Sequence, residues 1–435
     1  MPTPPTVADL LARCLLAQGA RRVFCSWAHP PAPLPGLDVI EVPSDALATV
    51  LADADGRSVT GDAAGPGVAL LSDARLRLTS QPGLVVEAHP VADPSELPLL
   101  VAGWSLGEVL TASEIDLGGL DLTAPAPEGV EPLDVSAASD QLVALSPSLA
   151  GFSMVLLVGP GVVRAGQAPA VAEAARRTGA GVVATPGAVG VLPLDDPAWL
   201  GVVGLQADDA VRSGLADAEL VVTAGIDPAE APPLADTVQV LEVEPWHLAL
   251  MARHWPEVAE RAPGGSDLTR VLASLVDHAS DAAGGLVATS AETLGLLPVG
   301  GVVAADAGPA GLWLARGLFP GAATVVVPAR PCDGFAAATA FVAALDDRPA
   351  LAVTAAPVTD LTRAVVDLAA ERDLPLVVEV WGGAPAGGDG RLVDRLEEAA
   401  RSGGRSCAAV PVDLSGSEVL VEALGPVSAW REHGG

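Results

Sequence analysis

The segment LAVTAAPVTDLTRAVVDL, from Leu351 to Leu368, has the pattern of a buried strand, a tight turn and an amphipathic helix. Such a junction suits phosphate chemistry, because amides at a helix N-terminus face an anion and a carboxylate beside them can hold a cation. Glycines normally let the main chain approach the anion. This turn instead carries Ala355, Ala356 and Pro357, none of which has a side-chain oxygen. A different chemistry is offered nearer the N-terminus. His29 lies in the loop SWAHPP at the end of the strand RRVFCSW, and Asp45 follows the next strand in VPSDALA. The two would share the crevice at the strand ends, where an imidazole and a carboxylate can move protons. Each has a second reading: Asp45 opens a helix and suits an N-cap, and His29 suits an exposed Pro-rich loop. His247 and His254 share a helix, but a metal site needs a further ligand.

The missing residue types exclude whole reaction classes. No Lys, Asn or Tyr occurs anywhere in the chain. Without lysine there is no Schiff base to pyridoxal phosphate or a carbonyl substrate, no phosphate-loop lysine and no kinase-type ATP lysine. The net charge of -31, from 54 acidic and 23 basic residues, argues against nucleic acid and anionic lipid as partners. Cys14, Cys25, Cys332 and Cys407 are scattered, with neither CxxC spacing nor a disulfide framework, and no metal site is expected. The opening MPTPPTVADLL has no basic leader region, and no apolar run reaches membrane-spanning length, so a cytoplasmic location is expected.

Helix and strand patterns alternate between Gly/Pro punctuation, which predicts an α/β fold: three consecutive domains with parallel sheets flanked by helices. The first spans residues 1–104, beginning with the helix TVADLLARCLLAQGA capped by Thr6. Residues 105–150, rich in Pro, Ser, Gly and acids, read as a linker. A central domain over 151–280 opens on SMVLLVGPGVVRAG. Its strand, glycine turn and helix resemble half of a nucleotide-binding unit without the full GxGxxG spacing, and close strand-to-helix packing equally explains the glycines. The last domain, 281–435, places Asp306, Arg330, Ala355 and Trp381 at the carboxyl ends of its strands, where a parallel sheet keeps its ligand crevice.

The order of TVADLLARCLLAQGARRVF, LLVGPGVVRAG, LPLDDPAWLGVVGL, ADAELVVTAGIDP, DAGPAGLWLAR and LPLVVEVWGG resembles the thiamine diphosphate-dependent enzymes of the acetolactate synthase type, over nearly the whole length. The resemblance implies a pyrimidine-binding domain, a central domain and a diphosphate-binding domain, and a homodimer or homotetramer. It implies carboligase or decarboxylase activity, a lyase or transferase acting on a small oxo acid.

Carried across residue by residue, the family pattern departs at its functional positions. Asp45 stands where the family has the glutamate that activates the cofactor, one methylene short. LLSDARLRL puts Asp73 where small residues admit the cofactor. DGFAAATA keeps Gly334 and Phe335 but replaces the preceding apolar residue with Asp333. Ala355, Ala356 and Pro357 fall over the metal-binding GDG, and Trp381 over the metal-binding Asn. Magnesium needs hard oxygen donors that these side chains lack. The sequence therefore reads as a degenerate family member with no cofactor expected, a pseudoenzyme serving assembly or regulation, alone or beside a paralogous subunit. Thiamine diphosphate with Mg²⁺ is the alternative cofactor expectation. The alternative function is an enzyme with a remodelled crevice that uses Asp45, His29, Asp73 or Asp333 on a small oxo acid.

Overall fold

The computed structural model describes residues 4–27, 32–58, 64–104, 112–133, 152–255, 265–278, 281–318, 324–382 and 405–430. It falls into two compact units, Met1–Asp140 and Gln141–Gly435.

The first unit starts with α1 (Val7–Ala17), capped as its sequence predicts: the Thr6 hydroxyl accepts the Asp9 amide at 3.2 Å and the Asp9 carboxylate accepts the Thr6 amide at 2.6 Å. The remaining elements are β1 (Arg22–Cys25), β2 (Asp38–Glu41), α2 (Asp45–Ser58), β3 (Gly67–Leu70), β4 (Arg75–Thr79), β5 (Ala88–Pro90), α3 (Leu97–Ala102) and β6 (Ala112–Asp116). They build a sheet in the order β2-β1-β3-β4-β6-β5.

This sheet departs from the all-parallel expectation. β1 pairs in parallel with β2 and β3, and β5 with β6, but β4 runs antiparallel to both β3 and β6. The cause is local. Ala74 adopts a left-handed φ of 65°, and the Leu71 amide reaches the Arg75 carbonyl at 2.8 Å, so Ser72, Asp73 and Ala74 close a hairpin. Part of the stretch expected as a linker is built into the unit. β6 lies in the sheet, and the chain beyond it accepts the Val7 and Ala8 amides through the Ala124 and Leu122 carbonyls.

Helix α2 lies against β3 with main chain nearly touching main chain. A Cβ on Gly56 would come 1.9 Å from the Thr79 carbonyl oxygen, and one on Gly67 would come 1.7 Å from that of Ala52. Only glycine fits at such a crossing. Beneath it Arg77 is buried, donating to Asp53 at 3.1 Å and to Glu114 at 3.0 Å, while Asp53 also accepts the Gly83 amide.

The second unit carries two wholly parallel sheets. The first is formed by β7 (Met154–Val158), β8 (Gly181–Ala184), β9 (Trp199–Val202), β10 (Leu220–Ala224) and β11 (Gln239–Val243), in the order β11-β10-β7-β8-β9. Its helices are α4 (Pro160–Arg164), α5 (Ala168–Thr178), α6 (Asp209–Arg212), α7 (His247–His254) and α8 (Asp267–Asp277). After α9 (Asp281–Gly295) come β12 (Val302–Ala305), α10 (Pro309–Ala315), β13 (Thr324–Val326), α11 (Phe335–Leu345), β14 (Ala350–Ala355), α12 (Asp360–Glu371), β15 (Leu376–Trp381), β16 (Arg405–Val410) and α13 (Glu418–Leu424). The strand order of this sheet is β13-β12-β14-β15-β16. The alternating β and α elements require such crossovers, and inner strands such as β7, β12 and β15, rich in Val, Leu and Ala, are buried on both faces. Helix α11, FAAATAFVAAL, is buried on every side from Phe335 to Ala344, as a helix without a polar face must be.

Within this unit a buried polar network ties the two sheets together. Arg316, at the end of α10, donates to the Asp209 carboxylate at 2.9 Å and to the Gln206 side-chain oxygen, and both charged partners are sealed from solvent. Asp209 also accepts the Leu205 and Gln206 amides, and the Gln206 side chain donates onward to the Leu420 and Gly425 carbonyls. Removing one member of such a pair leaves an uncompensated buried charge. Arg316→Met is expected to lower unfolding stability by about 3–5 kcal/mol in urea titrations, with Asp209→Leu combined with it recovering much of the loss. Gly56→Ala is expected to cost about 1–3 kcal/mol by the same measurement, because neither main chain at the crossing can retreat.

Candidate functional site

At the carboxyl end of the first unit's sheet the sequence places Asp45 and Asp73. Asp45 is the first residue of α2, and the helix cap is its neighbour: the Ser44 hydroxyl accepts the Leu47 amide at 3.3 Å. The capping reading of Asp45 is therefore corrected by one residue. The Asp45 carboxylate is instead gripped from two other elements. It accepts the Ser26 hydroxyl from the end of β1, and from the hairpin turn it accepts the Ser72 amide and the Ser72 hydroxyl, each at 2.8 Å. Burial pushes the carboxyl pKa up, but the hydrogen bonds from Ser26 and Ser72 and the positive charge of Arg75 outweigh it, so Asp45 sits below the ordinary aspartate value. An anion held this way is ionised at neutral pH.

Asp73 follows Ser72 in the hairpin turn and pairs with Arg75, whose Nε reaches its carboxylate at 2.6 Å. Arg75 extends on to Glu114 at 2.9 Å. The loop that the sequence marks as a possible cofactor entry is thus a closed hairpin with its charges paired. His29 lies outside the described residues. Beside this end of the sheet is an apolar cavity of about 430 Å³ lined by Cys25, Leu34, Leu37, Val39 and Leu70.

The carboxyl end of the last sheet gathers the other expected residues. Asp333 is exposed, and Gly334 takes a left-handed φ of 73° immediately before α11. A Cβ on Gly334 would lie 2.9 Å from Leu361 of α12, so this glycine serves a close helix crossing. Phe335 is wholly buried in the core. The amide of Ala336, in the first turn of α11, is taken at 2.8 Å by Asp306 from the end of β12. The helix terminus that would face an anion is therefore answered by a carboxylate of the same chain. Burial drives the Asp306 pKa up past the lowering from the Ala336 amide and the Thr354 hydroxyl, and the Asp333 charge adds to the rise.

Ala356 and Pro357 lie exposed beyond β14, with the Ala356 amide donating to the Trp381 carbonyl at 3.0 Å. The Trp381 ring points into the core, wholly buried, and its indole N–H reaches Glu379 at 2.9 Å. Glu379 also accepts the Thr293 hydroxyl of α9 at 3.0 Å. The N-terminus of α12 is capped by Thr359, whose hydroxyl accepts the Thr362 amide at 3.2 Å. Among the described residues no three His, Cys, Asp or Glu side chains converge as a metal-ligand set. Among the described residues, the donors at this edge do not fit a magnesium-bridged diphosphate, which needs several hard oxygens beside the turn.

In the second unit's other sheet, the glycine turn after β7 is a packing device. The amides of Gly159 and Gly161 donate to the carbonyls of Ala224 and Gly225 at 2.9 Å, and a Cβ on Gly159 would stand 2.4 Å from the Gly225 oxygen. Those amides are committed before any phosphate could use them. His247 is buried too, with Nδ1 accepting the Glu244 amide at 2.9 Å. Burial lowers its pKa, so it is neutral near pH 7. Ser26 and Ser72 were not singled out from sequence. Their only signal is a serine one or two residues past the end of an apolar strand.

Residues 152–259 match the family model for the central domain of thiamine pyrophosphate enzymes. The solved structure of the Rhodococcus jostii RHA1 thiamine diphosphate-dependent 4-hydroxybenzoylformate decarboxylase is similar in fold, with a TM-score of 0.59 at 13% sequence identity, over 96% of this chain and 93% of that one. No curated protein sequence gives a significant match. No helix among the described residues is long and apolar enough to cross a membrane.

The lowered pKa of Asp45 fixes a pH signature. Its contribution to stability is fully present above the ordinary aspartate value of 3.8 and is lost as pH falls through the lower folded value. The stability gap between wild type and Asp45→Asn is expected to be constant at neutral pH and to narrow below about pH 4 in denaturant titrations. A gap that widens on acidification would show the opposite shift.

Proposed function

From a central domain of the thiamine pyrophosphate enzyme family, set in a chain with the fold of a thiamine diphosphate-dependent decarboxylase, we propose a homologue that has set aside the magnesium-diphosphate chemistry. It acts as a non-catalytic assembly or regulatory subunit. On this reading the three sheets are the pyrimidine-binding-like, central and diphosphate-binding-like parts, and the cytoplasmic protein forms a homodimer or homotetramer, or joins a paralogous subunit. The observation that carries the reading is the Asp45 carboxylate, held as an anion by Ser26 and Ser72. A group acting on the cofactor's pyrimidine must exchange a proton near neutral pH, and one fixed below the usual range is a poor partner for that. The side chains of Ala356 and Trp381 support it from the other unit, since neither offers an oxygen to a cation.

A second reading has its own support. Asp306, with its raised pKa, lies close enough to Asp333 to feel its charge. Two neighbouring carboxyls at a strand-end crevice, one of them with its pKa raised by burial, form an arrangement that can do acid and base work on a small oxo acid. In that case a remodelled lyase or transferase would use Asp45, His29, Asp73 or Asp333.

The two readings separate in a turnover assay. The purified chain, supplied with thiamine diphosphate, Mg²⁺ and a panel of 2-oxo acids, is expected to release no CO₂ above the protein-free rate. Release that disappears in Asp333→Asn would establish the second reading, and release that needs the cofactor would restore ordinary family chemistry.

A further inference from the structure

Helix α8 is pinned at its N-terminus. The Ser266 hydroxyl donates to the Leu200 carbonyl of edge strand β9 at 2.6 Å, and Asp267 pairs with Arg212 at 2.8 Å. Along the rest of the helix, α8, β9 and the chain after α10 leave between them a cavity of about 250 Å³. Its apolar side chains are Leu194, Trp199, Leu272, Ala273, Val276 and Leu318, joined by Thr269, Asp277 and Arg316. An apolar cavity of about 150 Å³ takes a benzene ring. This one has room for a single ring carrying a short arm.

The polar side chains on the wall differ in what they have left to offer. Thr269 is spent on the helix cap, its hydroxyl accepting the Ser266 amide at 2.9 Å and donating to the Ser266 carbonyl at 3.0 Å. Arg316 is buried, and the Asp209 carboxylate at 2.9 Å answers its charge. Asp277 is exposed and has neither an ion pair nor a hydrogen-bond partner for its side chain among the described residues. Its neighbour His278 turns Nδ1 to the Ser274 carbonyl at 3.1 Å. Asp277 is also the last residue of α8, with no basic residue in that turn, so its charge adds to the negative end of the helix dipole.

We propose that this cavity binds a small organic ammonium ion whose apolar body is a single aromatic or branched group. The body fills the space beside Leu272, Val276 and Leu318, and the ammonium meets the unpaired Asp277 carboxylate. Trp199 supplies an indole, the ring to which organic cations are drawn most strongly. An organic anion is disfavoured by the same wall, since Asp277 repels it and the charge of Arg316 is already answered. A neutral molecule of the same shape forgoes the contact with Asp277, and a bare alkylammonium forgoes the apolar burial. The assignment does not depend on whether thiamine diphosphate binds.

The test uses the full chain at neutral pH and constant ionic strength. Phenethylamine, phenethyl alcohol, hydrocinnamate and ethylamine are titrated into it by calorimetry. Phenethylamine is expected to bind in the millimolar range or tighter, and more tightly than the other three. Asp277→Asn is expected to weaken it about fivefold, the limit for an exposed ion pair. Ala273→Phe, at an exposed position on the wall, is expected to abolish binding by filling the space. In parallel, hydrogen exchange of the wild-type chain is expected to slow in α8 and β9 when phenethylamine is added. This arm needs no variant, so it holds even where a substitution prevents folding. Absence of binding, hydrocinnamate or ethylamine binding as tightly, unchanged affinity in either variant, or protection confined to other segments would each overturn the proposal.

Discussion

Three hydrogen bonds hold the Asp45 carboxylate between the end of β1, the start of α2 and the β3–β4 turn. They join three elements at the crevice edge of the first sheet, and they take up the acid that a proton-transfer site would need free. The same constraint recurs along the strand ends of the second unit. A polar group buried there must be answered, and the answering group comes from the chain itself. Asp306 takes the Ala336 amide, Thr293 and Trp381 both donate to Glu379, and the amides of Gly159 and Gly161 go to carbonyls of the next loop. These ends keep the topology of ligand-binding sheets while their polar groups are already engaged. Arg330 departs from that pattern: its Nη1 is buried with no hydrogen-bond partner among the described residues.

The scaffold beneath these edges is specified independently of any chemistry. Gly56 against Thr79 and Gly67 against Ala52 bring helix and strand to main-chain contact, and Gly334 does the same between α11 and α12. The Arg316–Asp209–Gln206 network binds the second unit's two sheets from the inside. A buried, fully hydrogen-bonded ion pair of this kind fixes one arrangement because removal of either partner is so unfavourable. Such features persist whether or not a cofactor binds. The fold is accordingly similar to that of an enzyme with only 13% sequence identity to this chain.

The α/β class, the strand-helix alternation and the cap of α1 were legible because each depends on local pattern: period, glycine punctuation and a Thr-x-x-Asp signal. The glycines of the turn after β7 could be read two ways, and only the facing Gly225 decides between them. The antiparallel β4 was missed because a hairpin closed by Ala74 in a left-handed conformation has no glycine to announce it. At the site, the types at Asp45, Ala356 and Trp381 were readable, but their roles were not. Whether Asp45 is a cap or an acid depends on Ser26 and Ser72, which lie 19 and 27 residues away in sequence. Trp381 reads as a residue over a cofactor, yet its ring turns inward to Glu379. Partners supplied by distant strands are what a single sequence conveys least.

On the proposed function, this chain does not retain a magnesium-bridged diphosphate. Isothermal calorimetry of the full chain with thiamine diphosphate and excess Mg²⁺ tests it most directly. Heats indistinguishable from dilution at cofactor concentrations up to the millimolar range are the expected result. A saturable isotherm with micromolar affinity that vanishes on chelating the metal would contradict it.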